Sequence, residues 1–492
     1  MSITNTSYLI KAIDKIDLSN QESVNSHLKQ SLFYRFLKMP LETIHKFSLA
    51  LSDTSLVAKY IDQLIMANLI ALLIAITFAP TIVHGLLVAS GLLLTVFKWF
   101  FTREGGHNFT LFDIPVAVYI AVALISVAFS SYFMPSLKGL AKLMTYFASY
   151  VVFANIFKGS SKKLYLLLIV IAITGGLEAI YGILQRFQGV EALATWQDPE
   201  AIMAERKMTR VYGSLVPFNP NLLAGYLLPV APVVLGMGLI AWLKKKWYWA
   251  LPFFAFSLAS LVCIVFTGSR GAYIGLVLMV GFIYLAAGHI FWHEFKNHRY
   301  QRLFKFAWIT AGLLGILGVI FMLASMPALQ DRIMSIFTIR GNSSNSFRMN
   351  VYLSCWEMFK DNWLIGIGPG NSTFRLVYGF YMETGFDALG AYSVPLEIAV
   401  EMGIIGLLAS GWLLLVIFSN GVKAYNASES LEVKLLIMTL FAAFIAIGGQ
   451  AIFDTIWYRP QVHIIFWLLV AALSCIVSRK VYFKSNGDDQ KS

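Results

Sequence analysis

The sequence predicts an all-α, polytopic membrane protein of about twelve transmembrane helices with a helical exterior loop. Three observations carry that class. Hydrophobic residues make up 58% of the 492-residue chain and charged ones only 13%, with a mean hydropathy of +0.70. Uncharged apolar runs of about 18 residues or more recur along the chain, the length a helix needs to cross a bilayer. The runs are continuous instead of alternating, which excludes a barrel, the other architecture that satisfies its own backbone in lipid.

In order, the runs place spans at 62–80, 83–101, 113–132, 140–157, 164–185, 221–243, 248–267, 272–292, 306–325, 397–419, 435–453 and 461–478. The first 60 residues are polar and mixed and hold no cleavable signal peptide. Within them, residues 32–50 mix bulky apolar groups with Lys and Arg around Pro40, a pattern for either a membrane-surface segment or a disordered tail. Lys and Arg accumulate on the cytoplasmic side of membrane proteins. With the N-terminus inside, the run Lys244-Lys245-Lys246 and most of the 38 basic residues fall inside. The net charge of +12 is then a topology signal and calls for no nucleic-acid partner. The resulting organisation is a cytoplasmic segment 1–60, nine spans over 61–325, a large exterior loop 326–396, three spans over 397–480 and a cytoplasmic tail 481–492.

The long exterior loop reads as structured. Met349, Leu353, Trp356 and Phe359 are spaced for one buried helix face. The turn GIGPGNSTF (366–374) follows, with Asn371 or Ser372 placed to cap a second helix and the turn itself a candidate anion nest. The loop's charges cancel, Arg332, Arg340, Arg348, Lys360 and Arg375 against Asp331, Glu357, Asp361, Glu383 and Asp387. In NPN (219–221), Asn219 caps a helix and Pro220 takes its first position.

Four arginines, Arg210, Arg270, Arg348 and Arg459, fall on the exterior side, where positive charge is disfavoured. Arg459 has Asp454 nearby and reads as structural. Arg270, in FTGSRGAYIGL (266–276), sits at the tip of an apolar hairpin among small residues and opens a helix, a setting for an anion. Its planar fork matches two phosphate oxygens at once. Asp454 and Glu178 are ionisable groups in or near spans, each a functional candidate with pairing to an arginine as the competing account. Cys263, Cys355 and Cys475 match no metal or redox spacing, and the eight histidines are scattered, with His84 and His463 at exterior helix ends. The sequence carries no Walker loop, dinucleotide fingerprint or acidic pair, and no cofactor is expected.

FTGSRGAYIGL, SFRMNVYLSCWEMFKDNWLIGIGPGNSTF and AYSVPLEIAVEMGIIGLL resemble the O-antigen ligase and polymerase superfamily of bacterial envelope proteins. RVYGSLVPFNPNLLAGYLLP and FDTIWYRPQVHIIFWLL are similar to its cyanobacterial branch, named for inorganic carbon (bicarbonate) transport. The superfamily resemblance implies a multi-pass bacterial inner-membrane protein with cytoplasmic termini. It also implies metal-independent, inverting transfer of a glycan from an undecaprenyl pyrophosphate carrier to a sugar hydroxyl at the periplasmic face. The implied partners are the lipid-linked donor, a glycolipid or glycan acceptor and membrane lipids. Arg270 and Arg348 match the arginines that would hold the donor pyrophosphate, with Arg210 a third. The ligases carry a histidine as general base where this chain has Tyr392 or Ser393. A tyrosine, with an ordinary pKa near ~10, is a poor base at neutral pH. Tyr392, Glu397, His463 and Glu401 are therefore the alternative acid–base residues. The branch's name implies the rival reading, a bicarbonate or other small-anion transporter, and loss of the histidine a third, a non-catalytic carrier-binding protein.

Overall fold

The computed structural model describes residues 55–102, 110–157, 160–189, 210–293, 299–325, 327–334 and 343–485. The stretch 32–50 lies outside the described residues, as do 190–209 of the loop that precedes residue 210 and 486–492 of the tail. The elements of the described residues are all helices: α1 Leu56–Ala75, α2 Thr81–Phe101, α3 Asp113–Ala128, α4 Phe133–Phe157, α5 Ser161–Gln188, α6 Pro220–Leu243, α7 Trp247–Phe266, α8 Arg270–His293, α9 Gln301–Ser325, α10 Pro327–Met334, α11 Ser343–Asp361, α12 Asn371–Tyr378, α13 Val394–Ala427, α14 Leu431–Ala451 and α15 Pro460–Ser485. Eleven of these are long and apolar enough to cross a membrane. The run expected at 113–132 is the exception, because α3 stops at Ala128. Past that point Ser130 Oγ donates to Ile367 O (2.6 Å), and the chain turns to meet the 366–370 segment instead of continuing.

Helices α6 and α15 form the centre. Residues on every side of α6 are buried, so it shows no amphipathic stripe despite its apolar sequence. It packs on α5, α7, α8, α14 and α15, while α4 packs along α15 and α3 along α13. At the α8–α14 crossing a Cβ on Gly449 would lie 2.6 Å from Gly275 Cα, so two glycines let the backbones meet. Large apolar side chains such as Leu86, Leu93, Val277 and Phe321 remain on the outer surface, where a bilayer supplies their solvent. Asn219 caps α6 as expected, its Oδ1 accepting from Asn221 N at 2.8 Å.

The two ends differ. At one, Asp62 accepts from both Lys98 (2.6 Å) and Lys163, and Glu432 accepts from Lys244 (2.6 Å) and Tyr165 (2.7 Å), joining α1, α2, α5, α6 and α14. At the other lie Arg210, Arg270, Arg348 and Arg459 with α11 and α12, by the direction in which each helix runs.

That cap departs from the expected pattern. Met349, Leu353 and Trp356 are exposed, and the buried face of α11 is instead Val351, Cys355 and Met358. The smaller stripe brings α11 close to Phe374 and Tyr378 of α12 and Val400 of α13, whereas the bulkier one would hold them apart. Helix α12 is preceded by Gly370 with φ 108° and has no side-chain cap, so neither Asn371 nor Ser372 takes that role.

Helix α13 is broken. Gly403 has φ 65° and ψ −166°, a conformation open to glycine. The backbone groups freed there are satisfied by a segment far away in sequence: Ile367 N donates to Val400 O (3.0 Å), Gly368 N to Glu401 O (3.0 Å), and Ile404 N to Trp363 O (2.7 Å). Ser126 Oγ also donates to Glu401 O (2.7 Å). The break thus anchors the first half of α13, which carries Glu397 and Glu401, to α3 and to the 363–368 turn.

Candidate functional site

The site has two compartments that share a wall. The first is an arginine cluster. Arg270 opens α8, 7% exposed, beside Ser269. Arg348, on α11, donates from Nη1 to Phe453 O (2.8 Å), and its guanidinium lies over the Tyr392 ring at 5.5 Å. Burial raises the Tyr352 hydroxyl pKa above its ordinary value, and the positive charges of Arg348 and then Arg270 pull it back, so both arginines act on one phenol. Asp454 acts there with the opposite sign.

Arg210 is committed to the scaffold. Its Nε donates to Thr267 O (2.7 Å) and Nη2 to Asn221 Oδ1 (2.6 Å), tying the end of α7 to the start of α6. Its stem lies against Gly268, near Arg270. Glu178, another ionisable group singled out from the sequence, accepts from Ser214 N and Ser214 Oγ, both at 2.6 Å, and so pins the 210–217 segment instead of pairing with an arginine.

The second compartment is a cavity of about 410 Å³ between α2, α4, the first half of α13, the 455–459 loop and the start of α15. Glu397, Glu401 and His463 line it together with His84, Tyr119, Lys142, Tyr146, Trp457, Arg459 and Gln461. The structure thus brings Glu397 and His463 together and leaves Tyr392, Arg210, Arg270 and Arg348 outside the lining. Glu397 is 2% exposed; its Oε1 accepts from Thr455 Oγ1 at 2.5 Å, while Oε2 is buried without a hydrogen-bond partner. Tyr458 donates to Glu401 Oε1. Burial first, and the charges of Glu401 and Glu397 after it, hold the Tyr458 pKa well above the ordinary phenol value, so it remains a donor. His463 is clamped between Trp457 and Tyr146, with ring centroids at 3.9 and 4.2 Å.

Thr455 joins the compartments: its Oγ1 accepts from Tyr392 N (2.8 Å) and donates to Glu397. Tyr392 itself has φ 52°, and burial and then the Asp454 charge raise its pKa, against the pull of Arg348. Its hydroxyl is therefore ionised to a smaller extent at neutral pH than that of a free tyrosine. Half-buried Arg459 has its pKa lowered by burial, with Asp454 opposing, and sits at the cavity wall. Asp454 Oδ1 accepts from Thr455 N (2.9 Å), and Oδ2 is buried without a hydrogen-bond partner.

Sequence reasoning did not single out Thr455, Trp457, Tyr458, Gln461 or Lys142. They were readable only as parts of FDTIWYRPQ and of an apolar span, because their partners come from remote helices. A cluster of bulky polar aromatics between two spans was the available signal.

No curated relative matches the chain. Residues 254–410, from α7 to the second half of α13, match the family described as O-Antigen ligase; the match takes in Arg270, Arg348, Tyr392, Glu397 and Glu401 and gives this multi-pass membrane protein an O-antigen ligase- or polymerase-like character over that stretch.

Proposed function

We propose that the protein transfers a glycan from an undecaprenyl pyrophosphate carrier to a sugar hydroxyl at the periplasmic face of the bacterial inner membrane, with both termini cytoplasmic. The observation that carries this reading is Arg348 lying over the Tyr392 ring while the Tyr392 N–H donates to Thr455, which in turn donates to Glu397, with buried Arg270 at the same end; Arg270, Arg348, Tyr392 and Glu397 all fall within the stretch similar to the ligases. The arginines hold the diphosphate. The acceptor oxygen attacks the anomeric carbon as the bond to the diphosphate oxygen breaks. The electron pair leaves with that oxygen, where the guanidinium forks stabilise it. The acceptor proton passes to a base. Of the candidates Tyr392, Glu397 and His463, Glu397 fits best: it lies on the shared wall, held through one oxygen and with the other unpartnered.

The rival transport reading needs one site exposed to both faces in turn. Here the arginines and the cavity gather at one end, and the lysine end is laced by the Asp62 and Glu432 ion pairs.

A gene deletion scored by envelope polysaccharide on a gel, complemented with wild type or variants, tests the reading. Arg270→Ala is expected to cut transfer by about 10²–10³-fold, as removal of a preorganised charge-stabilising donor does. Arg270→Lys is expected to lose about tenfold or more, because an ammonium cannot reproduce the fork. An unchanged glycan profile with lost bicarbonate uptake into vesicles overturns the proposal in favour of transport. Carrier binding by a wild type that transfers nothing reduces it to a binding protein.

A further inference from the structure

The cavity beside the arginine cluster has a hydrogen-bonding polarity of its own, set by three backbone carbonyls. A carbonyl oxygen can only accept. His84 Nε2 lies 3.1 Å from Ala75 O, so the proton is on Nε2, and Nδ1 of the neutral ring is left as an acceptor. His463 Nδ1 lies 3.1 Å from Trp457 O, which leaves Nε2 as an acceptor by the same logic. Gln461 Nε2 donates to Val216 O (2.7 Å), which fixes the amide and leaves Oε1 accepting. All three remaining atoms are buried without a hydrogen-bond partner, as is Glu397 Oε2. The four residues are at most 2% exposed and all line the cavity. Buried acceptors left unmade cost about 1–3 kcal/mol each, and native proteins rarely gather several at one place without an occupant.

The lining also limits what that occupant can be. An anion would face four lone pairs with Glu401 beside them, and a cation would pass Arg459 and Lys142 at the wall. Trp457, Tyr119 and Tyr146 in the lining supply apolar surface suited to C–H groups. An uncharged ligand with several hydroxyl donors on a compact carbon frame fits both features, and about 410 Å³ falls within the usual range of about 300–1,000 Å³ for small-ligand sites.

We propose that this cavity is a subsite for an uncharged polyhydroxyl group, held by hydrogen bonds donated to His84, Gln461, His463 and Glu397. It rests on the transferase reading in one respect: such a group, bound next to Glu397, is the acceptor end whose hydroxyl loses its proton. His84, Gln461 and His463 lie outside the stretch that matches the ligase family. Two sources share the chemistry, the sugar end of a glycan and the glycerol headgroup of a lipid.

Saturation-transfer NMR on the full chain in nanodiscs, with methyl glucopyranosides, N-acetylglucosamine and glycerol as probes, reads the site directly. Sugar signals are expected in wild type. In His84→Phe the binding is expected to weaken about tenfold, the factor for one buried hydrogen bond left unmade. His84→Gln, which keeps an acceptor, should recover part of it, and this pair separates ligand loss from misfolding. Saturation of glycerol without the sugars keeps the site and assigns it to a headgroup. Absence of signal from every probe in wild type overturns the proposal, as does undiminished binding in His84→Phe. Gly411→Ala, outside the cavity lining and with open space around it, is expected to bind the sugars as wild type does. Transfer at the wild-type rate in Arg270→Ala sinks the transferase reading alone, since the binding result stands by itself.

Discussion

Tyr392 shows how a residue in the position of an expected base can have another use. Its backbone N–H holds Thr455, its carbonyl accepts from Tyr352 (3.0 Å), and its ring lies under Arg348. None of these contacts uses its hydroxyl. Burial and Asp454 raise that hydroxyl's pKa, so it stays protonated below the ordinary tyrosine value of about 10 and across the neutral range. Tyr392→Phe is therefore expected to keep transfer within about threefold, with the same pH–rate profile between about pH 6 and 9. A lost profile limb in the phenylalanine variant would make Tyr392 the base after all. The arginines were legible as charges at the end opposite the lysine-rich one, because counting basic residues along the spans separates the two ends. Their division of labour was not, because the carbonyl of Thr267 and the amide of Asn221 that commit Arg210 to the scaffold are placed by folding.

The broken helix is the feature of α13 that decides where the carboxylates sit. In EMGIIGLL the apolar run continues through Gly403, so sequence reading draws one straight span from 397. The break depends on Trp363, Ile367 and Gly368, whose backbone groups replace the missing helical bonds. Nothing in the local pattern encodes a partner so far away. A Cβ at Gly403 would lie 2.3 Å from the backbone of Leu364, and the conformation itself costs a non-glycine residue about 1–3 kcal/mol. Gly403→Ala is expected to lower the melting temperature of the purified protein by several degrees, whereas Gly411→Ala, with open space around it, serves as the tolerant control. Equal melting curves for the two would show that the break is not under steric control. The α11 stripe teaches the same lesson in reverse: spacing marked the bulky face of Met349, Leu353 and Trp356, and close packing against α12 and α13 buried the one with smaller side chains instead.

At the scale of the molecule, hydropathy made the membrane class and nearly every span legible, since each span must satisfy its own backbone in lipid. The two ends, distinguished in sequence only by counting basic residues, are chemically different in the fold, one laced by lysine–carboxylate pairs and the other hollowed, with Arg459 in the cavity wall and Arg270 and Arg348 outside its lining. Cysteines placed at Glu383 and at Lys245 report the orientation. A membrane-impermeant thiol reagent added to spheroplasts is expected to label Glu383→Cys and leave Lys245→Cys until the membrane is opened. The reverse order would invert the topology and put the site in the cytoplasm.

Helix direction adds a consequence to this polarity. His84, Arg270, Glu397 and His463 all lie in the opening turn of their helices, α2, α8, α13 and α15. Their surroundings are therefore the amino ends of several peptide-dipole stacks, each equivalent to about half a positive charge. This part of the field belongs to the backbone and survives any single side-chain replacement. If the protein transfers a glycan as proposed, the loss expected in Arg270→Ala accordingly has a floor: a leaving diphosphate would still depart into a positive potential that no codon change removes.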